Sequence, residues 1–249
     1  MTTSGTSAFN LDLNNLVEEA FERCGSELRT GYDLRTARRS LNLLTIEWAN
    51  RGVNLWTIEQ GQITLSPGTI TYALPVDTID LVDHVIRTGT GTNQIDININ
   101  RISVDTYLTI PNKNATGRPI QVWINRQSGA QYPINGNQPA STNTSTGIDA
   151  PNINVWPAPD SSQTYTFVYW RMRRIQDAGN GGTATQDIPF RFLPCMVAGL
   201  AYYLSMKIPE AAERIPMLKQ EYEEQWKLAS EEDREKAPVR FVPRNLFYR

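Results

Sequence analysis

Between Gly31 and Gln60 the apolar positions follow a helical period. Leu34, Ala37, Leu41, Leu44 and Trp48 recur three or four residues apart and therefore share one face. Leu43, Ile46 and Ala49 widen that face, which predicts a helix contacted from more than one side. Arg35, Arg38, Arg39 and Asn42 form its polar remainder, and Gly52 supplies the residue type that closes helices in the left-handed conformation. Upstream, Asp12 is placed to cap a helix whose apolar side is Leu13, Leu16, Val17, Ala20, Phe21 and Cys24, stopped at Gly25. The short connection between the two predicts an antiparallel pair.

From Gln62 the period changes to two. Ile63 and Leu65 alternate, Ser66-Pro67-Gly68 turns, and Ile70, Tyr72 and Leu74 alternate again, which reads as a hairpin. Further strands are predicted at Val82–Arg87, Ile95–Ile99, Pro119–Arg126, Ile153–Trp156 and Thr164–Arg173, the last carrying the strongest signal. Ser103–Leu108 reads as one helical turn anchored by Tyr107. Short strands with turn signals between them point to a sandwich or a small barrel. Gln127–Asn152 interrupts them with a long run of Ser, Thr, Asn, Gly and Pro, either a docking loop or a tolerated insertion. Asp177–Gln186 is a second glycine-rich connector.

Helical spacing returns with Leu193, Val197, Leu200, Ala201 and Leu204, with Pro194 in the first turn. Pro209 opens a long amphipathic stretch whose apolar side is Met217, Leu218, Tyr222, Trp226 and Leu228, bent or restarted at Pro216. Its expected solvent face carries Glu221, Glu223, Glu224, Glu231, Glu232, Asp233 and Glu235. After Pro238 the chain changes character: Val239–Arg249 has no side-chain acid, and combines Arg240, Arg244 and Arg249 with Phe241, Leu246, Phe247 and Tyr248. The predicted fold class is α+β. A helical bundle formed by both chain ends (1–60 and 187–238) holds an inserted antiparallel β-sandwich or barrel (61–186), followed by an extended C-terminal arm (239–249).

Composition narrows the function. A net charge of −2 argues against a surface that grips nucleic acid throughout. Arginine far outnumbers lysine, which favours planar, hydrogen-bonded protein contacts. Cys24 and Cys195 lie in separate helical patterns and fit buried thiols of a reducing compartment. No apolar run is long enough to span a bilayer and no secretory signal is visible, so the expectation is a protein made in a cytoplasm. His84 sits alone in an apolar strand beside Asp83, and no metal-ligand spacing, phosphate loop or nucleophile elbow appears. Asp80 with Asp83, or Asp96 with Asp105, could in principle share acid/base work. They read better as turn and solvent-facing residues, so no catalytic residue, cofactor or metal site is assigned.

The run RRSLNLLTIEWANRGVNLWTIEQ, then ITYALP, DLVDHVIR, GRPIQVWINR and INVWPAP in that order, resembles the head-to-tail adaptor proteins of short-tailed bacteriophages. These are also called tail tubular protein A or gatekeeper proteins. The resemblance extends from about Leu34 to the C-terminal helices, and it rests on the ordered set rather than on one chemical motif. It implies a virion protein assembled in the host cytoplasm, in a twelvefold ring between the portal protein and the tail nozzle protein. Tail fibre or tailspike proteins are further implied neighbours. Genome DNA would pass through the channel without sequence-specific binding, and no membrane contact is implied. On this reading Arg240, Phe241, Arg244, Leu246, Phe247, Tyr248 and Arg249 bind the portal. Arg35, Arg38 and Arg39 meet Glu223, Glu224 or Glu231 of a neighbouring subunit. The alternatives are a carbohydrate- or nucleic-acid-binding tail module using the β domain's aromatic residues, and a cell-wall hydrolase.

Overall fold

The computed structural model describes residues 3–52, 55–127, 150–179 and 183–234. Two helices come first, α1 (Leu13–Cys24) and α2 (Gly31–Arg51). Then follow β1 (Ile58–Leu65), β2 (Thr71–Ala73), β3 (Thr78–Thr88), β4 (Ile95–Asn98), β5 (Asn100–Arg101) and the short α3 (Val104–Leu108). The strands β6 (Thr116–Gly117), β7 (Gln121–Asn125), β8 (Asn152–Trp156), β9 (Ala158–Pro159) and β10 (Tyr165–Arg173) complete the middle. Last come α4 (Leu193–Ser205) and α5 (Ile215–Glu232). The chain is thus α+β, with helices at both ends and strands between. It divides into two compact units, Met1–Leu55 with Gln176–Arg249, and Trp56–Ile175.

In the helical unit, α4 is the inner element and packs against α1, α2 and α5. It is apolar almost all round, as a helix surrounded by others must be, with Leu193, Met196, Val197, Leu200, Ala201 and Leu204 buried. Close approach is possible because of Gly199: a Cβ there would lie 2.9 Å from both Leu44 and Tyr222. Asp12 caps α1 by accepting a hydrogen bond from Asn15 N at 2.8 Å. Thr30 and Asp33 form a reciprocal capping box on α2, and Gly52 closes that helix at φ +80°. Pro216 stands in the first turn of α5 after a 3₁₀ stretch at Pro209–Arg214, so it restarts the helix rather than bending it. The connector 176–186 is tied to this unit by its backbone. Ala178 N donates to Asn42 Oδ1 at 2.8 Å, and Leu13 N donates to Ala184 O at 2.9 Å.

The β unit is a sandwich. One sheet has the order β1-β10-β3-β4, all antiparallel, and the other β2-β8-β7-β5, in which only β5 with β7 is parallel. Inward residues of both sheets form one core, with Leu81, Ile86, Phe167 and Tyr169 from the first and Val122, Ile124, Ile153 and Val155 from the second. No closed barrel forms among the described residues, which decides between the two expected all-β forms. Gly61 in β1 faces Tyr169, whose ring would stand 2.4 Å from a Cβ there, so the glycine makes room for the aromatic ring. Arg171, only 8 % exposed, lies at the end of β10. Its guanidinium bonds Asp77 Oδ1 at 2.5 Å, Thr78 Oγ1 at 2.9 Å, and Glu59 directly across on β1. That guanidinium holds the Asp77 carboxyl below its usual range.

Some expectations are corrected here. The runs on either side of Ser66-Pro67-Gly68 do not pair as a hairpin, because β1 and β2 belong to different sheets. The chain crosses between sheets at that turn, and the Tyr72 hydroxyl, bonded to Ser66 N at 2.9 Å, holds the crossing. Period-two alternation is the same for a hairpin and for a corner, so spacing alone does not separate them. Asp233, expected on the solvent face, is buried and paired with Arg191. By contrast, Met217 and Leu228, expected inside, are exposed, and Ala229 takes the inward position. The expected arm 239–249 lies outside the described residues, as does most of the 127–152 run. The ends of that run are joined: β7 pairs with β8, and Ala150 N donates to Gln127 O at 2.8 Å.

Gly199→Ala is expected to overpack the contact of α4 with Leu44 and Tyr222 and to cost about 1–3 kcal/mol, read as a lower denaturation midpoint. His84 is buried and stacked on Phe167 at 5.7 Å between ring centroids, and burial lowers its pKa. The unfolded chain therefore binds a proton near pH 6.5 that the folded chain refuses, and stability falls as pH drops below that value. The Asp77 contribution is lost only in the lower, carboxylate range. His84→Phe is expected to flatten thermal stability between about pH 6.5 and 5 while leaving the loss at lower pH unchanged. An unaltered slope in that window would refute the assignment.

Candidate functional site

The helical unit presents the groups that sequence reasoning singled out. One side of α2 is set by burial of Ala37, Leu41, Leu44 and Trp48 against the rest of the unit. Trp48 is fully enclosed, with Phe192 and Trp226 rings at 5.5 and 5.4 Å. Its indole N–H donates to the Tyr222 hydroxyl at 3.0 Å, which donates to Glu47 Oε1 at 3.2 Å. Tyr203 donates to Glu47 Oε2 at 2.7 Å. Arg51 binds Glu47 at 2.5 Å and forks onto Glu223 with two 2.9 Å bonds. The same guanidinium lies over the rings of Tyr222 and Trp226 at 5.2 and 4.9 Å. Hydrogen bonding to Glu223 holds the Arg51 pKa above its ordinary value, and the same contact holds the Glu223 carboxyl below its own. Burial, with the Glu47 contact second, pushes the Tyr203 phenol up to about 12. All of these are locked groups, each with its partner in place.

The opposite side of α2 is open. Tyr32, Leu43 and Ile46 are 66, 51 and 46 % exposed, and Arg35 and Arg39 lie between them. The two arginines make no ion pair among the described residues. Arg38 lies off this stripe and is half-buried. On α5 the outward residues are Met217, Gln220, Glu224, Leu228 and Glu231, with Met217 and Leu228 60 and 62 % exposed. Glu224 accepts only from Gln220 of its own helix, at 2.9 Å, among the described residues. Of the six residues expected between subunits, Arg35, Arg39, Glu224 and Glu231 thus stand on open helix faces. Glu223 is engaged by Arg51 of its own chain. The seven expected portal-binding residues, Arg240 to Arg249, fall outside the described residues.

A cleft of about 970 Å³ lies beside α1 and α4. Phe9, Leu11, Phe190, Leu193, Pro194 and Val197 give it an apolar lining, and Glu18, Glu19 and Glu22 an acidic one. The carboxylates considered for acid/base work are neutralised or solvated. Asp80 is bound by Arg101 at 2.9 Å with Arg126 at 3.6 Å. Arg87 forks onto Asp96 at 2.7 and 2.9 Å and keeps that carboxyl below its ordinary range. Asp83 accepts from the backbone N of His84, and Asp105 lies in the first turn of α3. Burial pushes the thiols of Cys24 and Cys195 up to about 11 and 12, so both stay protonated and unreactive at neutral pH. Among the described residues no group of three or more His, Cys, Asp or Glu side chains could hold a metal ion, and no helix is long and apolar enough to cross a membrane.

Sequence reasoning missed the Glu47–Arg51–Tyr222 brace, since only the meeting of α2, α4 and α5 brings its parts together. It also assigned Met217 and Leu228 to the core. Their spacing with Glu224 and Glu231, on the side away from Tyr222 and Trp226, is the signal that separates two faces of α5.

No curated protein matches the chain. A family model described as SU10 adaptor protein matches residues 12–242, which takes in the helices at both ends and the strands between them. The chain therefore belongs to the SU10 adaptor protein family, structural adaptors of phage virions that join other head and tail proteins.

Proposed function

We propose that this protein is the head-to-tail adaptor of a short-tailed phage, of the tail tubular protein A or gatekeeper kind. Twelve copies would form a ring between portal and tail nozzle, around the channel through which the genome is ejected. The observation that carries this reading is a family-model match over both units, joined to a helical unit whose exposed Arg35 and Arg39 make no ion pair among the described residues. Such surfaces suit protein contacts. Arg35, Arg38, Arg39, Glu223, Glu224 and Glu231 lie at or beside the contact between copies in this reading. The isolated chain is a monomer or weak oligomer, and the portal templates the ring.

The segment Val239–Arg249 is the portal-binding arm. Pro238 and Pro243 discourage helix, and a short segment cannot bury Phe241, Leu246, Phe247 and Tyr248 against itself. Those side chains need a partner's groove, where Arg240, Arg244 and Arg249 add forked hydrogen bonds to carboxylates or carbonyls. Ordering the arm costs roughly 1–2 kcal/mol per residue in backbone entropy. Aromatic anchors return about 1.5–3 kcal/mol each, so many arms acting together on one ring are needed. The polar run Gln127–Asn152, which connects β7 to β8 in the chain, serves nozzle or tail-fibre proteins.

A chain ending at Lys236 is expected to stay folded and soluble but to lose portal binding in a pull-down with purified portal. Unchanged affinity would overturn the arm assignment. Replacing residues 128–149 with a short Gly-Ser linker should leave the melting temperature of the protein within a few degrees, because the β7 and β8 ends already pair. It should also leave portal binding intact and lower the yield of particles with complete tails. A normal yield would make the run a neutral insertion.

A further inference from the structure

The two open helix faces match one another. On α2 the outward residues Tyr32, Arg35, Arg39, Leu43 and Ile46 follow steps of three, four, four and three. On α5 Met217, Gln220, Glu224, Leu228 and Glu231 follow the same steps. This is the spacing with which side chains of one helix seat between those of another. The α2 face is basic and apolar, with Arg35 and Arg39, and the α5 face is acidic and apolar, with Glu224 and Glu231. Each leaves about half or more of its large apolar side chains exposed, and on α2 Tyr32, Arg39 and Leu43 border a groove shared with Phe21, Leu204 and Lys207.

We infer that the occupant of the α2 face is the α5 face of a second copy of this chain. The contact is head-to-tail: each copy offers its basic stripe to one neighbour and its acidic stripe to the other, an arrangement that builds rings or open filaments rather than closed pairs. Like copies cannot pair α2 to α2 or α5 to α5, because that sets arginine against arginine or glutamate against glutamate. Arg39 and Glu224 are the middle residues of their stripes, so full overlap brings them together whichever way the helices run. With the helices parallel, Leu43 meets Leu228. With them antiparallel, Leu43 meets Gln220. The inference rests on the ring reading above and supplies the contact by which copies recognise each other.

The test is disulfide trapping of concentrated full-length protein, whose own thiols, Cys24 and Cys195, are buried. One of two double variants, Leu43→Cys with Leu228→Cys or Leu43→Cys with Gln220→Cys, should give a ladder of covalent oligomers on oxidation. The three chains with one added cysteine each should stay monomeric. Adding Arg39→Glu should abolish the ladder, and combining Arg39→Glu with Glu224→Arg should restore it. Circular dichroism melts of each variant establish that the fold is kept. No ladder from either double variant, or dimers from Leu43→Cys alone, would overturn the pairing. So would a ladder that appears only in a chain ending at Lys236, since the chain's own C-terminal segment would then be the occupant. The adaptor reading is judged apart from this, by whether the wild-type chain enters phage particles and binds portal. Entry without a ladder sinks the stripe contact alone, and a ladder without entry sinks the adaptor reading.

Discussion

The hydrogen bond from the buried Trp48 indole to the Tyr222 hydroxyl fixes how the helical unit is arranged. A tryptophan can be wholly enclosed only if its N–H finds an acceptor, and here the acceptor stands on another helix. Glu47 accepts a hydrogen bond from the Tyr222 hydroxyl, and Arg51 in turn holds Glu47 and reaches Glu223. These bonds set the rotation of α2 and α5 about their own axes. Gly199 allows α4 to approach Leu44 and Tyr222 closely enough for the brace to form. Once Trp48 and Tyr222 face inward, Arg39 and Leu43 on one helix, and Glu224 and Leu228 on the other, must face outward. The internal brace and the open faces are therefore one consequence of the same packing.

Much of the local structure was legible because it is written in neighbours a few residues apart. Asp12, Thr30 with Asp33, Gly25 and Gly52 mark their helix ends, and the alternation in Tyr165–Arg173 marks the central strand of a sheet. The single turn anchored by Tyr107 is also present, its ring stacked on Trp123 at 5.2 Å. What sequence could not settle was which strands lie in one sheet. Ile63–Leu65 and Ile70–Leu74 alternate as a hairpin would, yet the turn between them changes sheet. Nor could it sort the polar residues. Asp233 and Glu231 look alike in a list of acids, but one is buried on Arg191 and the other is open to solvent.

The α5 misreading is the most informative. Met217, Leu218, Tyr222, Trp226 and Leu228 were placed on one side of the helix, but a single side cannot hold both 217 and 218, or both 226 and 228, at helical spacing. Leu218, Tyr222, Trp226 and Ala229 share the inward side by steps of four, four and three. The residue type misled where the angular position did not. Likewise, the apolar face of α2 was expected to be widened by Leu43 and Ile46 and contacted from a second side, but within the described chain both stand about half exposed.

Charge is distributed by the same logic. Arginines with work inside a unit are saturated: Arg51 between two glutamates, Arg171 among Glu59, Asp77 and Thr78, Arg87 on Asp96. Their partner carboxylates are 28–48 % exposed, so each pair adds little stability by itself. Arg35 and Arg39 are different, because solvent meets their needs in the isolated chain. Bringing them against carboxylates of another molecule gains little per exposed pair, commonly under about 1 kcal/mol, and that gain shrinks with salt. Contacts of this kind select a partner and its orientation without holding it tightly. On the proposed ring reading, that suits a subunit that stays separate while free and locks when many copies are arrayed on a common platform, where each weak contact is reinforced by its neighbours.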